Sequence, residues 1–242
     1  MADAIFEEPR LAQVYDPLDP DRSDLDVYLA IVGEFGARSV LDIGCGTGTF
    51  ACLLAGRGIE VTGVEPARAS LDVARVKPGA DAVRWLHGDA TTLPPMRVDL
   101  AVMTGNVAQV FLADEDWTAT LRGAHTALRP GGHLVFETRD PARKAWLAWN
   151  RRDSWSRTEI PGVGAVETWV EVTGVSGDLV SFRWTITFRR DGAVYTSDST
   201  LRFRNRDEVE ESLAAAGFAV VDVRDAPDRP GRELVFIARR PA

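Results

Sequence analysis

Two hydrophobic rhythms run along the chain. Short runs rich in aliphatic and β-branched residues, SVLDIG (39–44), IEVTGVE (59–65), AVRWLHGD (82–89), VDLAVMTG (98–105) and HLVFET (133–138), predict buried strands. Between them lie segments of helical character: SDLDVYLAIVGEFG (23–36), Thr49 to Ala55, PARASLDVARV (66–76) and DEDWTATLRGAHTAL (114–128). The first is expected to be capped by Ser23 with Asp26 three residues on, and to place Leu25, Tyr28, Leu29, Val32 and Phe35 on one face. Gly56 and Gly58 close the second, and RPGG (129–132) stops the last. The residues before 23 read as a loose acidic start. Strand and helix alternate five times, which predicts a parallel sheet covered on both faces.

From about Pro141 to Asn205 the helical period is absent. LVSFRWTITF (179–188) alternates, with Val180, Phe182, Trp184, Ile186 and Phe188 on one face, and Asp191-Gly192 marks a hairpin tip. GAVETWVEVT (164–173) supplies a third strand of a small inserted antiparallel sheet. The first pattern then resumes. Asn205 with Glu208 predicts a capping box on RDEVEESLAAAG, ended by Gly217, and FAVVDV and RELVFIAR follow as strands joined by a tight turn.

The chain has 242 residues, enough for one large core without disulfide or metal. Its net charge of −8 argues against a nucleic-acid surface, and its two cysteines, Cys45 and Cys52, exclude a disulfide framework. MADAIFEEPRLAQVYD has no apolar stretch of signal-peptide length, and no window spans a membrane, so the expected location is cytoplasmic. None of the three histidines has metal-ligand spacing with another ligand type, so no metal is expected.

The candidate chemistry starts at VLDIGCGTGTF (40–50). Gly44, Gly46 and Gly48 crowd the turn where the first strand ends, the place at which a parallel sheet binds ligands. No Gly-Lys-Ser/Thr follows, so this is not a P-loop. Thr49 stands where a dinucleotide fingerprint wants its third glycine. Asp42 adds a negative charge and no Lys or Arg lies between Val40 and Gly56, which suits a cationic ligand better than a pyrophosphate. Glu65 closes the second strand, where an acid can accept from both hydroxyls of a ribose.

Together with VTGVEPA and LHGDATTLP, the loop resembles the class I S-adenosylmethionine (AdoMet) methyltransferases over residues 36–140 and again at the C-terminal helix and strand pair. The resemblance implies an α/β fold with a Rossmann-like, doubly wound, seven-stranded sheet whose last strand is antiparallel. It implies an N-terminal helical cap (1–36), an AdoMet-binding core (37–140), an inserted antiparallel sheet as lid, substrate or dimer region (141–204), and a closing helix and strand pair (205–242). It places Gly44, Cys45, Gly46, Thr47 and Gly48 against the methionine part and Asp42 near its amino end. It assigns Glu65 with Pro66 to the ribose, Asp89 with Ala90 to the adenine, Thr104, Gly105 and Asn106 to the sulfonium side, and Tyr15 to closing over the cofactor.

The implied activity is methyl transfer from AdoMet to an O, N or C nucleophile of a small-molecule acceptor, with S-adenosylhomocysteine as product. Alignment alone can supply about 7–11 kcal/mol for such a displacement. No base stands out; Asn106, His87 and Tyr15 are the catalytic candidates, and a base would add on the order of 10²–10⁴-fold. Candidate substrate residues are Arg139, Trp146, Trp149 and Trp155, with an ordinary apolar core or self-association face as the plainer reading of the tryptophans. Trp184 reads as core. The alternatives are a nicotinamide-dependent oxidoreductase and a non-catalytic AdoMet-binding protein. The chain is expected as a monomer or homodimer, without nucleic acid or membrane.

Overall fold

The computed structural model describes residues 2–242. Its central sheet contains β1 (Ser39–Ile43), β2 (Glu60–Glu65), β3 (Val83–His87), β4 (Val98–Met103), β5 (Leu128–Arg139), β10 (Ala219–Asp225) and β11 (Glu233–Arg239) in the order β10-β11-β5-β4-β1-β2-β3. All run parallel except β11, which is antiparallel to both β5 and β10. Four more strands, β6 (Ser156–Ile160), β7 (Gly164–Ser176), β8 (Leu179–Phe188) and β9 (Val194–Arg202), form a separate antiparallel sheet in that order. The helices are α1 (Ala4–Glu7), α2 (Pro9–Leu18), α3 (Asp26–Glu34), α4 (Thr49–Ala55), α5 (Arg68–Arg75), α6 (Asp114–Ala127), α7 (Arg151–Ser154) and α8 (Arg206–Ala215).

The two faces of the main sheet are read off the alternation within its strands. Leu41, Ile43, Leu134, Phe136 and Phe236 pack against Trp117 and Leu121 of α6 and Val209 and Leu213 of α8. Their sequence neighbours Val40, Val135, Val235 and Ile237 point the other way, onto Tyr28 and Ile31 of α3 and Phe50 and Leu54 of α4. At the centre of the first layer, the Trp117 ring meets Phe136 edge-on, and Phe136 stacks on Phe236. Trp117 keeps its indole N–H satisfied by donating to Ser212 Oγ at 2.8 Å.

The structure corrects four sequence expectations. The acidic start is helical: Pro9 sits in the first turn of α2, Leu11 and Val14 are buried three apart along it, and Ile5 of α1 is buried beside them, a pattern short enough to hide among the acids. Ser23 caps nothing. It opens a 3₁₀ turn, Ser23–Leu25, and α3 begins only at Asp26. RPGG is not a break before β5 but an irregular part of it: Leu128 pairs with Val98, the register then shifts, and Gly131 takes a positive φ of 81°. The small sheet has a further strand, β6. It lies on a sheet edge and alternates too little to be read from sequence, with only Ile160 buried.

One local reading carries a quantitative expectation. Asn205 Oδ1 accepts from Glu208 N at 3.0 Å, and Glu208 Oε2 accepts from Asn205 N at 2.7 Å, a reciprocal capping box on α8. Asn205→Ala is expected to lower stability by about 1 kcal/mol, measured by urea denaturation; an unchanged midpoint would mean that α8 is held by packing alone.

Candidate functional site

The turn from β1 into α4 is shaped by what its glycines lack. A Cβ on Gly44 would meet Val107 at 2.7 Å, and one on Gly48 would meet Trp85 at 2.5 Å and Ala74 at 2.8 Å. All three loop glycines have positive φ, 71° at Gly44, 53° at Gly46 and 79° at Gly48. Only at Gly46 does the missing side chain leave open space. Two glycines therefore answer to protein packing and one to an outside approach. Trp85 fills the space beneath the loop and also crowds Gly63 of β2, where a Cβ would lie 2.9 Å from both the ring and the Cys45 sulfur.

Two buried acids flank this turn. Glu65 ends β2 and is 6% exposed; its Oε2 accepts from Gly46 N at 2.9 Å and its Oε1 from Ala67 N at 2.8 Å. Burial raises its pKa, and the two N–H groups pull it back. Each oxygen keeps a lone pair for a further donor. Asp42 lies within β1, not at its tip, and is 1% exposed. Neither of its oxygens has a hydrogen-bond partner. Burial first, and the nearby Glu65 second, push its carboxyl up to about 7, against the opposing charge of Arg22. A buried acid left without a donor is costly.

The rest of the rim follows the strand ends. After β3, Asp89 is exposed and its Oδ1 accepts from Thr91 N at 2.8 Å, while Ala90 beside it is buried. His87 is exposed, with its ring nitrogen 3.0 Å from the Pro66 carbonyl. After β4, Thr104 is half-buried, Gly105 exposed, and Asn106 buried with a positive φ of 62°. Tyr15 of α2 keeps 37% of its surface, in a cleft crowded enough for burial to raise its phenol pKa, with Arg22 and Arg139 opposing. Cys45 and Cys52 are free thiols.

Several site residues carry no sequence motif. Glu137 in β5 is buried, accepts from the Tyr28 hydroxyl and the Asn106 N–H, and is pushed up to about 8 by burial, with Glu233 adding to it. Glu233 of β11 is 3.3 Å from Asn106 Nδ2 and 2.7 Å from Arg229. These groups line a cavity of about 30 Å³ beside Gly105. An acid inside the apolar run HLVFET was the available signal for Glu137. Asp16 of α2 accepts from Thr47 Oγ1 at 2.6 Å and is paired with Lys77 at 2.6 Å, contacts no local pattern announces.

The basic residues at and after the end of β5, Arg139, Arg143, Lys144 and Arg151, divide. Arg139 turns inward to Gln109 at 3.0 Å and to Glu233 at 3.7 Å, whereas Arg143 and Lys144 are exposed and Arg151 stacks over Trp169. Trp149 meets Phe182 edge-on and lies under Arg139; Trp146 packs on Phe203. Trp155 is 47% exposed and apart from them, and Trp184 packs in the core of the small sheet. Among the described residues no group of histidines, cysteines and acids could hold a metal, and no helix is long and apolar enough to cross a membrane.

Residues 40–132 match a family described as a methyltransferase domain. The cypemycin N-terminal methyltransferase of a Streptomyces species is 36% identical over 106 residues, 43% of each chain. The ubiquinone biosynthesis O-methyltransferase of Alkalilimnicola ehrlichii is 29% identical over 139 residues, 51% of this chain and 50% of that protein. This chain thus spans about half the length of these two curated relatives. A solved S-adenosylmethionine-dependent methyltransferase from Clostridium acetobutylicum shares the fold, with a TM-score of 0.79 at 17% identity, covering 97% of this chain and 99% of that one.

Two predictions follow from the packing and the buried acid. Gly48→Ala should cost about 1–3 kcal/mol more stability than Gly46→Ala, since both replace a positive-φ glycine but only the first forces a methyl into Trp85; equal losses by chemical denaturation would contradict that. An acid whose folded pKa exceeds the unfolded value holds its proton longer in the folded chain. Stability therefore falls as pH rises from about 4, the ordinary carboxylate value, toward about 7 for Asp42. In the ligand-free protein Asp42→Asn should gain about 2–4 kcal/mol at pH 8 and much less at pH 5. Melting temperatures at the two values check this, and a penalty at pH 8 would refute it.

Proposed function

We propose that this chain, which carries a class I S-adenosylmethionine-dependent methyltransferase domain, transfers the methyl group of AdoMet to a nucleophilic O, N or C atom of a small molecule and releases S-adenosylhomocysteine. The observation that carries the reading is the open Gly46 backbone beside a buried, unpartnered Asp42 carboxylate. That site suits a cation lying close to main chain and offers a pyrophosphate only repulsion. The printed functions of the two curated relatives are an N-terminal and an O-methyltransferase, which supports the reaction class without choosing the atom.

In this reading Asp42 faces the amino end of the cofactor, with Gly44, Cys45, Gly46, Thr47 and Gly48 along its methionine part. Glu65 uses its remaining lone pairs for the ribose hydroxyls beside Pro66, and Asp89 with Ala90 reads the base. Bound AdoMet supplies a methyl group already activated by its sulfonium. The residues of the chain contribute alignment and exclusion of water: Thr104, Gly105 and Asn106 form the wall next to the reacting side, and Tyr15 covers it. Arg139, Trp146 and Trp149 lie on the side of the small sheet and are assigned to the acceptor; Trp155, apart from them, is the weakest member of that set. Glu137, absent from the candidates read in the sequence, joins Asn106, His87 and Tyr15 as a catalytic candidate; burial pushes its carboxyl up to about 8, which suits it to exchanging a proton.

The acidic net charge of −8 supports a partner other than nucleic acid, and we place the protein in the cytoplasm as a monomer or homodimer. The oxidoreductase alternative is disfavoured by Thr49 at the third-glycine position.

S-adenosylhomocysteine should raise the melting temperature in proportion to ln(1 + [L]/Kd), and NAD should not. Labelled AdoMet with a panel of small amines, phenols and alcohols should then yield a methylated product. Stabilisation by NAD alone would overturn the assignment; tight S-adenosylhomocysteine binding with no transfer to any acceptor would favour a non-catalytic binder.

A further inference from the structure

Among the described residues, three side chains keep buried polar atoms with no hydrogen-bond partner: Asp42, Asn106 and Arg204. Asp42 belongs to the proposed cofactor site. Arg204 lies against the Trp117 ring and pairs with Asp114. Asn106 is the third. It is 4% exposed and stands next to Gly105, around whose missing Cβ the space is open.

The other polar atoms of Asn106 are partnered. Its φ of 62° is left-handed, a conformation that asparagine tolerates better than most residues with a side chain. Its N–H donates to Glu137, its carbonyl accepts from Gln109 N at 3.0 Å, and its Nδ2 donates to Glu233 Oε1 at 3.3 Å. Glu233 also fixes which way the amide faces, because the reversed amide would point its oxygen at a carboxylate. The orphan atom is therefore Oδ1, an acceptor, and a buried acceptor calls for a donor.

Asn106 lines, with Tyr28 and Gly105, a cavity of about 30 Å³, room for one water-sized group. Four acids line the same cup, Asp24, Glu137, Asp228 and Glu233, against one arginine, Arg229. Glu233 joins the cup to the acceptor side: its Oε1 lies 3.7 Å from Arg139, which in turn lies over Trp149. These surroundings select among nucleophiles. A hydroxyl that gives up its one hydrogen presents an oxyanion to a carbonyl oxygen and to acids. A carboxylate or thiolate has no hydrogen to offer. An uncharged amine donates an N–H and keeps its lone pair free for the methyl group.

We propose that the acceptor is a primary or secondary amine, and that Asn106 Oδ1 holds its reacting nitrogen by accepting an N–H. This rests on the methyl-transfer reading and chooses nitrogen among the three possible atoms.

The test uses the full chain saturated with S-adenosylhomocysteine and three probes: aniline, N-methylaniline and N,N-dimethylaniline. They are uncharged at neutral pH and carry two, one and no N–H. The first two should bind about tenfold more tightly than the third, the ratio expected when a buried acceptor loses its donor. They should also shift the side-chain amide resonances of Asn106 in ¹⁵N NMR spectra, and the third should not. Asn106→Gly keeps the left-handed backbone and removes the amide, so the three should bind it alike. With labelled AdoMet, primary and secondary amines should be methylated and tertiary amines should not. Equal affinities in wild type, or unmoved amide resonances, would overturn the proposal, as would preferential methylation of an alcohol or phenol. A tenfold loss of S-adenosylhomocysteine affinity in Asn106→Gly would give the oxygen to the cofactor instead. If wild type binds no S-adenosylhomocysteine, the methyltransferase reading fails, and the amide resonances under aniline alone still decide the donor site.

Discussion

The Glu65 carboxylate is the tie on which the ligand end of the sheet depends. It joins the turn after β1 to the turn after β2 by accepting an N–H from each, at Gly46 and at Ala67. Without it, the Gly46 N–H would lose its partner at the one loop glycine that packing does not hold. Trp85 does the complementary work from below, occupying the volume that Gly48 and Gly63 leave empty. A soft segment is thus made rigid by a bond above and a ring beneath, and only the Gly46 face is left for a visitor.

The same region concentrates charge in poor solvent. Asp42, Glu65 and Glu137 are all buried and all shifted toward their protonated forms by that burial. Their partners differ. Glu65 is satisfied by main chain, Glu137 by a tyrosine and a main-chain N–H, and Asp42 by nothing in the protein. That gradation leaves Asp42 as the one of the three acids that no group of the protein satisfies.

Much of this was legible in the chain. Strand runs, the Asn205 capping box and the glycine turn are local patterns, and local patterns survive folding when burial supports them. The α4 boundaries, Thr49–Ala55, were readable because a glycine stands on either side. What stayed hidden depends on distance in sequence. Glu137 meets Tyr28 across 109 positions and Asp16 meets Thr47 across 31, and no spacing rule encodes either. Helix α2 was implied by the resemblance but not by the residue pattern, because its buried face is covered by a sheet far along the chain, so its apolar positions look sporadic until that sheet is in place. The β5 start was misplaced because Pro130 and the glycines after it read as punctuation, although the strand begins at Leu128 and shifts register against β4 across them.

The position of β11 ties the two ends of the pattern together. This strand follows β10 in the chain yet lies inside the sheet, between β5 and β10, and it delivers Glu233 to Asn106. Without it β5 would have an unpaired edge and Asn106 would lose one of its anchors. A change that loosens β11 is therefore felt more than a hundred positions away in sequence, at the turn after β4.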